Sequence, residues 1–289
     1  MGFAFKLAIP SIQNRGGIKM ETIEAEDLRQ SPEYKKYMES IGWRVVGPVF
    51  IRRLGPVSIA KIQRVELPLD WGKINKVLRE NRVFMCKLEP INRITNNELR
   101  IRGFRQDNWP LLGSKTLRVD LKPSEEKILA SFMKDCRYVL RKIEDRKLKI
   151  EKNDFEKFYE IWKSSARRKN LWIPKKKEYD SLIKCFGKKA FCVCLEDPAG
   201  AVVLTHKKIA YYYYAGATKK GNELNLPYLV AWEVMKEAKE RGCVVWDWEG
   251  IYDARWPNKG WVGFSHFKKS FGGKEIEFPG SFTRWRWPF

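Results

Sequence analysis

The sequence is poor in histidine and has no obvious framework for metal or disulfide chemistry. Only His206 and His266 occur among its 289 residues. Its six cysteines lie mostly in apolar stretches and lack the paired spacing of a zinc or disulfide framework. Cys192 and Cys194 alternate on a predicted strand and would point to one face, where core packing is the favoured interpretation. We therefore expect reduced core cysteines and no metal site.

Long apolar runs are also missing from the chain. No stretch of about 18 apolar residues occurs, which is the length needed to span a bilayer as a helix. The first residues, MGFAFKLAIPSIQNRGG, lack the long apolar segment and the cleavage site of a signal peptide. These features predict a cytoplasmic protein.

Acidic residues are too few to balance the basic ones. The chain has 57 Lys and Arg against 35 Asp and Glu, for a net charge of +22, and 44% of its residues are hydrophobic. The hydrophobic content is sufficient for a folded protein with two domains. The charge favours a polyanionic partner, such as nucleic acid, a pyrophosphate or an anionic lipid surface. Basic residues are densest between Lys134 and Lys188.

The pattern of apolar residues indicates an α/β (α+β) protein. In the first half we predict helices at 31–41 and 71–80, strands at 44–54, 57–67 and 82–88, and a linker at 90–114. In the second half we predict strands at 116–121, 148–151, 190–196, 201–206 and 209–215, a long helix at 124–143, a second amphipathic helix after it, and a helix at 224–241. The order of the second set is similar to that of the GNAT acyltransferase fold. Two such units in tandem would fill the chain, as a degenerate amino-terminal domain at 1–115 and a carboxyl-terminal domain at 116–289.

The segment 244–280 has the pattern of a functional site. An apolar strand is followed by the carboxylates of Asp247, Glu249 and Asp253, at the point where that strand should end. Phe264, Phe267, Lys268 and Phe271 come next at helical spacing, and Gly272 and Gly273 then stop the helix. Aromatic residues at this spacing more often form a core than line a site. The carboxylates have an alternative structural role, in which they cap the strand end or shape the loop.

The turn at 219–228 departs from the coenzyme A site of an ordinary GNAT enzyme. Such a site holds the pyrophosphate on a glycine-rich loop at a helix amino terminus, where backbone N–H groups meet the anion. This turn reads KKGNELNLPY, in which Glu223 would oppose phosphates and Pro227 removes a donor. We therefore expect a different acyl carrier.

Several short motifs resemble those of the Fem-type (FemABX) aminoacyltransferases. The motifs occur in the family's order over most of the chain. They are LRQSPEY with a following Gly-Trp at 28–43, a strand at 116–121 followed by SEE, YYYAGA at 212–217, Pro-Tyr at 227–228, WDWEGI at 246–251 and FKKSFGG at 267–273. The departures are Glu249 in place of the family's usual glycine and the lack of an inserted helix pair that would form a coiled-coil arm. The resemblance therefore implies two tandem GNAT-like domains without that arm.

The resemblance also implies an activity and a set of site residues. It implies transfer of an amino acid from aminoacyl-tRNA, as co-substrate and without a cofactor, to the stem-peptide amine of a UDP-linked or lipid-linked peptidoglycan precursor. Lys268 is then the catalytic cation that stabilises the oxyanion, and Phe267 an apolar surface beside the tRNA 3′ end. Asp247 and Asp253 are candidates to orient or deprotonate the amine, with groups of the substrate as the alternative. The expected substrate-binding residues are Lys36, with Lys35 as an alternative, Arg168, Tyr214, Glu249 and Asp253.

Two other functions are compatible with the residues. One is an acyl-CoA-dependent N-acyltransferase on the same fold, and the other is a non-catalytic protein that binds RNA or a membrane surface through its charge. Peripheral contact with an anionic membrane surface, at the inner face of the plasma membrane, is a further expectation for the Fem-type interpretation.

Overall fold

The computed structural model describes residues 26–92, 96–146, 148–196 and 198–286. The helices are α1 (Pro32–Ser40), α2 (Trp71–Glu80), α3 (Asn96–Ile101), α4 (Glu125–Ala130), α5 (Lys134–Glu144), α6 (Phe155–Arg168), α7 (Lys176–Phe186), α8 (Lys219–Glu223), α9 (Leu226–Glu240) and α10 (Val262–Lys269). The strands are β1 (Arg44–Val46), β2 (Val49–Leu54), β3 (Val57–Val65), β4 (Val83–Pro90), β5 (Arg105–Gln106), β6 (Lys115–Asp120), β7 (Ile150–Lys152), β8 (Ala190–Leu195), β9 (Ala199–His206), β10 (Ile209–Ala217), β11 (Val245–Asp247), β12 (Lys274–Glu277) and β13 (Phe282–Trp285).

The strands form two mixed sheets, which confirms the predicted α/β class. The first sheet has the order β1-β2-β3-β4-β13-β5, and the second has the order β12-β6-β11-β10-β9-β8-β7. Strand β13 returns to the first sheet and pairs antiparallel with both β4 and β5. The end of the described chain is thus built into the sheet formed by strands between residues 44 and 106, and a domain boundary after residue 115 remains a prediction.

The helices are short, and none has the length of a coiled-coil arm within the described ranges. The longest of them, α9, has 15 residues. No helix in the described part of the chain is long and apolar enough to cross a membrane.

Three segments differ from the sequence predictions. The strand predicted at 44–54 is instead the antiparallel pair β1 and β2, which a turn at Gly47 and Pro48 separates. The stretch predicted as a linker at 90–114 contains α3 and β5. The helix predicted at 124–143 is broken into α4 and α5, although neither glycine nor proline lies at the break. Tertiary contacts cause the interruption: the Met133 N–H donates to the Ser270 carbonyl at 2.8 Å, and the Ser131 carbonyl lies against Gly272. The chain after α10 therefore replaces hydrogen bonds that a continuous helix would have made.

The second sheet has a core on each face. On one face, α5 and α9 cover a cluster that includes Trp246, Trp248 and Phe271. On the other face, α6 and α7 cover a cluster that contains Cys192 and Cys194, as predicted, together with residues from the start of the chain. Helix α1 packs directly on α7. The amino-terminal helix therefore shares a core with the second sheet.

Strands β10 and β11 separate at the centre of the second sheet. They pair in parallel only over Ile209–Tyr211 and Val245–Asp247. Strand β11 then ends, while β10 continues to Ala217 with an irregularity between Tyr212 and Tyr214. Beyond Tyr211, β10 stays paired with β9 but has no strand partner on its β11 side, and this leaves an opening in the sheet that α9 and α10 border.

Candidate functional site

A cavity of about 520 Å³ occupies the opening beside β10. Its walls come from β10, from the turn before α9 and from α10, and they include Tyr212, Gly216, Tyr228, Phe267 and Lys268. Gly216 is required by a close approach, because a Cβ atom there would lie 2.9 Å from the Cα atom of Trp162. The cavity is large enough for a small acyl group and part of its carrier.

Lys268 projects from α10 into this cavity. Its Nζ atom donates to the carbonyl oxygens of Trp248 and Gly250, at 2.8 and 2.7 Å. The ring of Phe264 lies 4.8 Å from the same Nζ atom. An ammonium has three donors, so two are used to fix its position and one is left for a ligand.

Burial lowers the pKa of Lys268 to about 8, although Glu249 and Asp247 act in the opposite direction. Lys268 is half-buried and is one of the residues that line the cavity. At neutral pH most of the population is charged, since the pKa lies above 7. Lys268 therefore presents a fixed cation inside a largely apolar wall.

Phe267 forms part of that apolar wall. Its ring centroid lies 4.9 Å from that of Tyr228 and 5.3 Å from that of Phe271. Phe271 is completely buried, whereas Phe267 is half-buried and lines the cavity. The aromatic residues at helical spacing therefore serve both predicted roles. Phe271 packs in the core, and Phe267 lines the cavity.

Asp247 lies at the end of β11 and does not line the cavity. Its carboxylate accepts hydrogen bonds from Thr116 Oγ1 at 2.6 Å, Arg118 Nε at 2.8 Å and the Glu249 N–H at 2.9 Å. Burial acts to raise its pKa, but Arg118 and Thr116 outweigh burial and hold the pKa below its ordinary value. A carboxylate held in this way is a poor proton acceptor, and its geometry fits a role in fixing the strand end.

Glu249 forms a bidentate ion pair with Arg29, which lies in the short 3-10 helix Leu28–Gln30. Burial favours the neutral form of Arg29, yet the carboxylates of Glu249 and Asp27 hold its pKa well above the ordinary value. Glu249 has a φ of 61°, which lies in the left-handed region of backbone conformation. Glycine, the family's usual residue at this position, adopts that region without steric cost. Sequence reasoning did not identify Arg29 as the partner, although it lies in the LRQSPEY element.

Asp253 lies outside the Lys268 cavity, in a second cavity of about 420 Å³. It accepts from Ser114 Oγ at 2.8 Å and pairs with Arg255 at 2.7 Å. The indole rings of Trp256 and Trp261 line the same cavity. The structure therefore separates Asp253 from Lys268 and Phe267.

None of the remaining predicted residues lines the cavity, but Arg168 contacts its wall. Arg168, at the end of α6, donates to the carbonyl of Ala217 at 3.0 Å, and Ala217 lines the cavity. Tyr214 instead packs against Trp162, with ring centroids 4.0 Å apart. Lys36 is exposed on α1 and Lys35 is half-buried there, and neither lines the cavity. The structure thus places Lys268 and Phe267 in the cavity and Arg168 beside it.

Comparisons with known proteins agree with this arrangement. The FemAB family model matches residues 197–286, the part of the chain that forms the cavity. The crystal structure of FemX is similar with a TM-score of 0.75 at 14% identity, covering 91% of this chain and 93% of FemX. L-PGS from Bacillus licheniformis has a TM-score of 0.53 at 11% identity over 89% of this chain and 92% of that protein. A GCN5-related N-acetyltransferase from Kribbella flavida has a TM-score of 0.50 at 12% identity over 86% and 91%. No curated protein matches the sequence.

The two sheets and the separated strands β10 and β11 have the fold of the GNAT-type acyltransferases. The FemAB family model over residues 197–286 and the similarity to the FemX fold support the Fem-type resemblance drawn from the sequence.

Proposed function

We propose that the protein transfers an amino acid from aminoacyl-tRNA to the stem-peptide amine of a UDP-linked or lipid-linked peptidoglycan precursor. The observation that carries the proposal is the position of Lys268, a fixed ammonium in a cavity at the separated ends of β10 and β11. The net charge of +22 supports a polyanionic co-substrate.

The chemistry requires little more than alignment and one cation. The amine nitrogen adds to the carbonyl carbon of the aminoacyl ester, and the carbonyl electron pair moves to the oxygen. Lys268 donates its remaining N–H to that oxyanion, which is the charge that develops in the transition state. The C–O ester bond then breaks, the ribose oxygen takes the electron pair and a proton from the attacking nitrogen, and an amide remains.

The cavity wall gives no carboxylate for proton transfer. Its described lining contains tyrosine, lysine and histidine side chains but no Asp or Glu. Asp247 is held by three donors elsewhere. The proton therefore passes most directly from the incoming amine to the departing ribose oxygen.

The geometry argues against coenzyme A as the acyl carrier. The segment where a pyrophosphate loop would stand is instead the short helix α8, which ends two residues before Asn225, the N-cap of α9. Pro227 has no N–H, and the N–H of Tyr228 donates to the carbonyl of Asn225 at 3.1 Å. Pro227 therefore supplies no donor for a pyrophosphate, and the Tyr228 N–H is already used within the turn.

The test offers the protein purified charged tRNAs, with a UDP-linked or a lipid-linked precursor as acceptor. We expect transfer of the labelled amino acid to the precursor, loss of transfer after treatment with RNase, and a rate that falls steeply with salt. A parallel reaction with acetyl-CoA should give no product. Transfer that continues at full rate after RNase treatment, or acetylation of the acceptor, would contradict the proposal.

A further inference from the structure

The loop between α6 and α7 exposes two neighbouring apolar side chains among cations. Leu171 is 61% exposed and Trp172 is 81% exposed. The segment 163–177, KSSARRKNLWIPKKK, contains seven basic residues and no acidic one. An exposed apolar pair of this size needs a partner surface, and the surrounding charge indicates that the partner is anionic.

Most of the cations around this loop are available to a partner. Arg167, Lys169, Lys175 and Lys177 are exposed, and none has an ion pair among the described residues. Lys176 differs, since it pairs with Glu156 and Asp180 at 2.5 and 2.6 Å. The available charges lie on both sides of the Leu171–Trp172 pair and not on one side only.

The backbone of the loop is held in place beneath the exposed pair. The Leu171 N–H donates to the Ala166 carbonyl at 2.9 Å, and Tyr159 Oη donates to the Pro174 carbonyl at 3.2 Å. Ile173 packs against the core that α6 and α7 share. Because the flanking residues are fixed, Leu171 and Trp172 are presented outward without a cost for ordering the loop on binding.

We infer that this loop docks the protein on an anionic phospholipid surface. Trp172 would lie at the headgroup level, Leu171 would enter the acyl boundary, and the cations on both sides would contact lipid phosphates. RNA is the less suitable partner, because a base could stack on Trp172 but would leave Leu171 in water.

The loop is joined to the cavity that contains Lys268. Lys169 lines that cavity, and Arg168 donates to Ala217 in the cavity wall. Docking through Leu171 and Trp172 would therefore hold the cavity close to the membrane surface. If the proposed function is correct, this position favours the lipid-linked acceptor over the soluble one.

Flotation with vesicles tests the inference, using phosphatidylcholine alone and phosphatidylcholine with phosphatidylglycerol. The wild-type protein should bind only the anionic vesicles, with a blue shift of tryptophan emission. The variant L171S/W172S, which keeps the charge, and the variant K175S/K177S, which keeps the apolar pair, should each bind roughly tenfold or more weakly. The control for the apolar pair is Trp285→Ser, because the Trp285 side chain is 64% exposed and lies outside the loop. The control for the charge change is K73S/K76S, which removes two exposed lysines of α2.

Three results would overturn the inference. They are no vesicle binding by the wild type, equal losses in the control variants, and vesicle binding that survives L171S/W172S while tRNA binding is lost. The last result would make the loop an RNA site. Aminoacyl transfer to a soluble UDP-linked precursor should be unchanged in L171S/W172S, so failure of membrane docking and failure of the proposed function give different results.

Discussion

The guanidinium of Arg29 and the carboxylate of Glu249 form a bidentate ion pair between residues 220 positions apart. The pair is almost completely buried, with side-chain exposures of 6% and 13%. It joins the short 3-10 helix Leu28–Gln30 to a residue two positions beyond the end of β11. The amino-terminal segment is therefore attached to the strand end that precedes the Lys268 cavity.

Removing one member of this pair should destabilise the protein strongly. Arg29→Met leaves Glu249 without its partner, and we expect a loss of about 3–5 kcal/mol in the free energy of unfolding, measured by urea titration. The double variant R29M/E249M should recover part of the loss, because the unpaired Glu249 carboxylate is gone, although the buried Asp27 still lacks its ion pair with Arg29. The control Lys76→Met breaks an exposed pair on α2 and should cost less than about 1 kcal/mol. A loss from Arg29→Met as small as that of the control would contradict the structural role of the pair.

The rate of transfer should depend on the charge of Lys268. Its pKa is about 8, so the ammonium is present below that pH and is lost as the pH rises through it. We expect kcat/KM to fall about tenfold per pH unit above 8. The Lys268 contribution to the free energy of unfolding should instead rise with pH. Between a pH of about 8, the pKa of Lys268 in the native protein, and 10.5, its ordinary pKa, the unfolded chain holds the Lys268 proton and the native protein does not. A rate that is flat across this range would show that the ammonium is not used.

A large side chain at Gly263 should block the cavity without disturbing the core. Gly263 lines the cavity, and a Cβ atom there would have no heavy atom within 4 Å. We expect Gly263→Trp to abolish transfer while the melting temperature stays close to that of the wild type. Gly263→Ala is the matched control and should keep full activity, with stability within about 1 kcal/mol. Full activity in Gly263→Trp would exclude this cavity as the site of transfer.

Asp247→Asn tests whether this residue orders the strand end or acts as a base. Loss of the carboxylate leaves Arg118 without its partner, and we expect a destabilisation of roughly 2–4 kcal/mol. Because the pKa of Asp247 is held below its ordinary value, its contribution to stability is present at neutral pH and lost as the pH falls through that lowered pKa. The shape of the rate profile above pH 6 should not change. The control is Asp120→Asn, at the half-buried end of β6. A new pH dependence of the rate in Asp247→Asn would assign the base role to Asp247.

The sequence predicted local features better than long-range ones. The α/β class, helix α2 and the aromatic helix with Lys268 follow from apolar spacing and from the glycines that end the helix. The break between α4 and α5 depends on the Ser270 carbonyl and on Gly272, which are more than 130 residues away, so no local signal marks it. The partners of Asp247 and Glu249 were missed for the same reason. Asp253 was grouped with Lys268 by proximity in sequence, but the chain after Gly250 carries it to another cavity.

The most direct measurement is single-turnover aminoacyl transfer by Lys268→Met beside its neighbour Lys269→Met. Lys268 lines the cavity and donates to the carbonyls of Trp248 and Gly250, whereas Lys269 is exposed and pairs with Glu275 at 2.7 Å. We predict that Lys268→Met lowers the transfer rate by about 10²–10³ without weakening tRNA binding, since one oxyanion donor is lost, and that Lys269→Met retains the wild-type rate. Equal rates in the two variants would contradict the proposal that Lys268 stabilises the transition state.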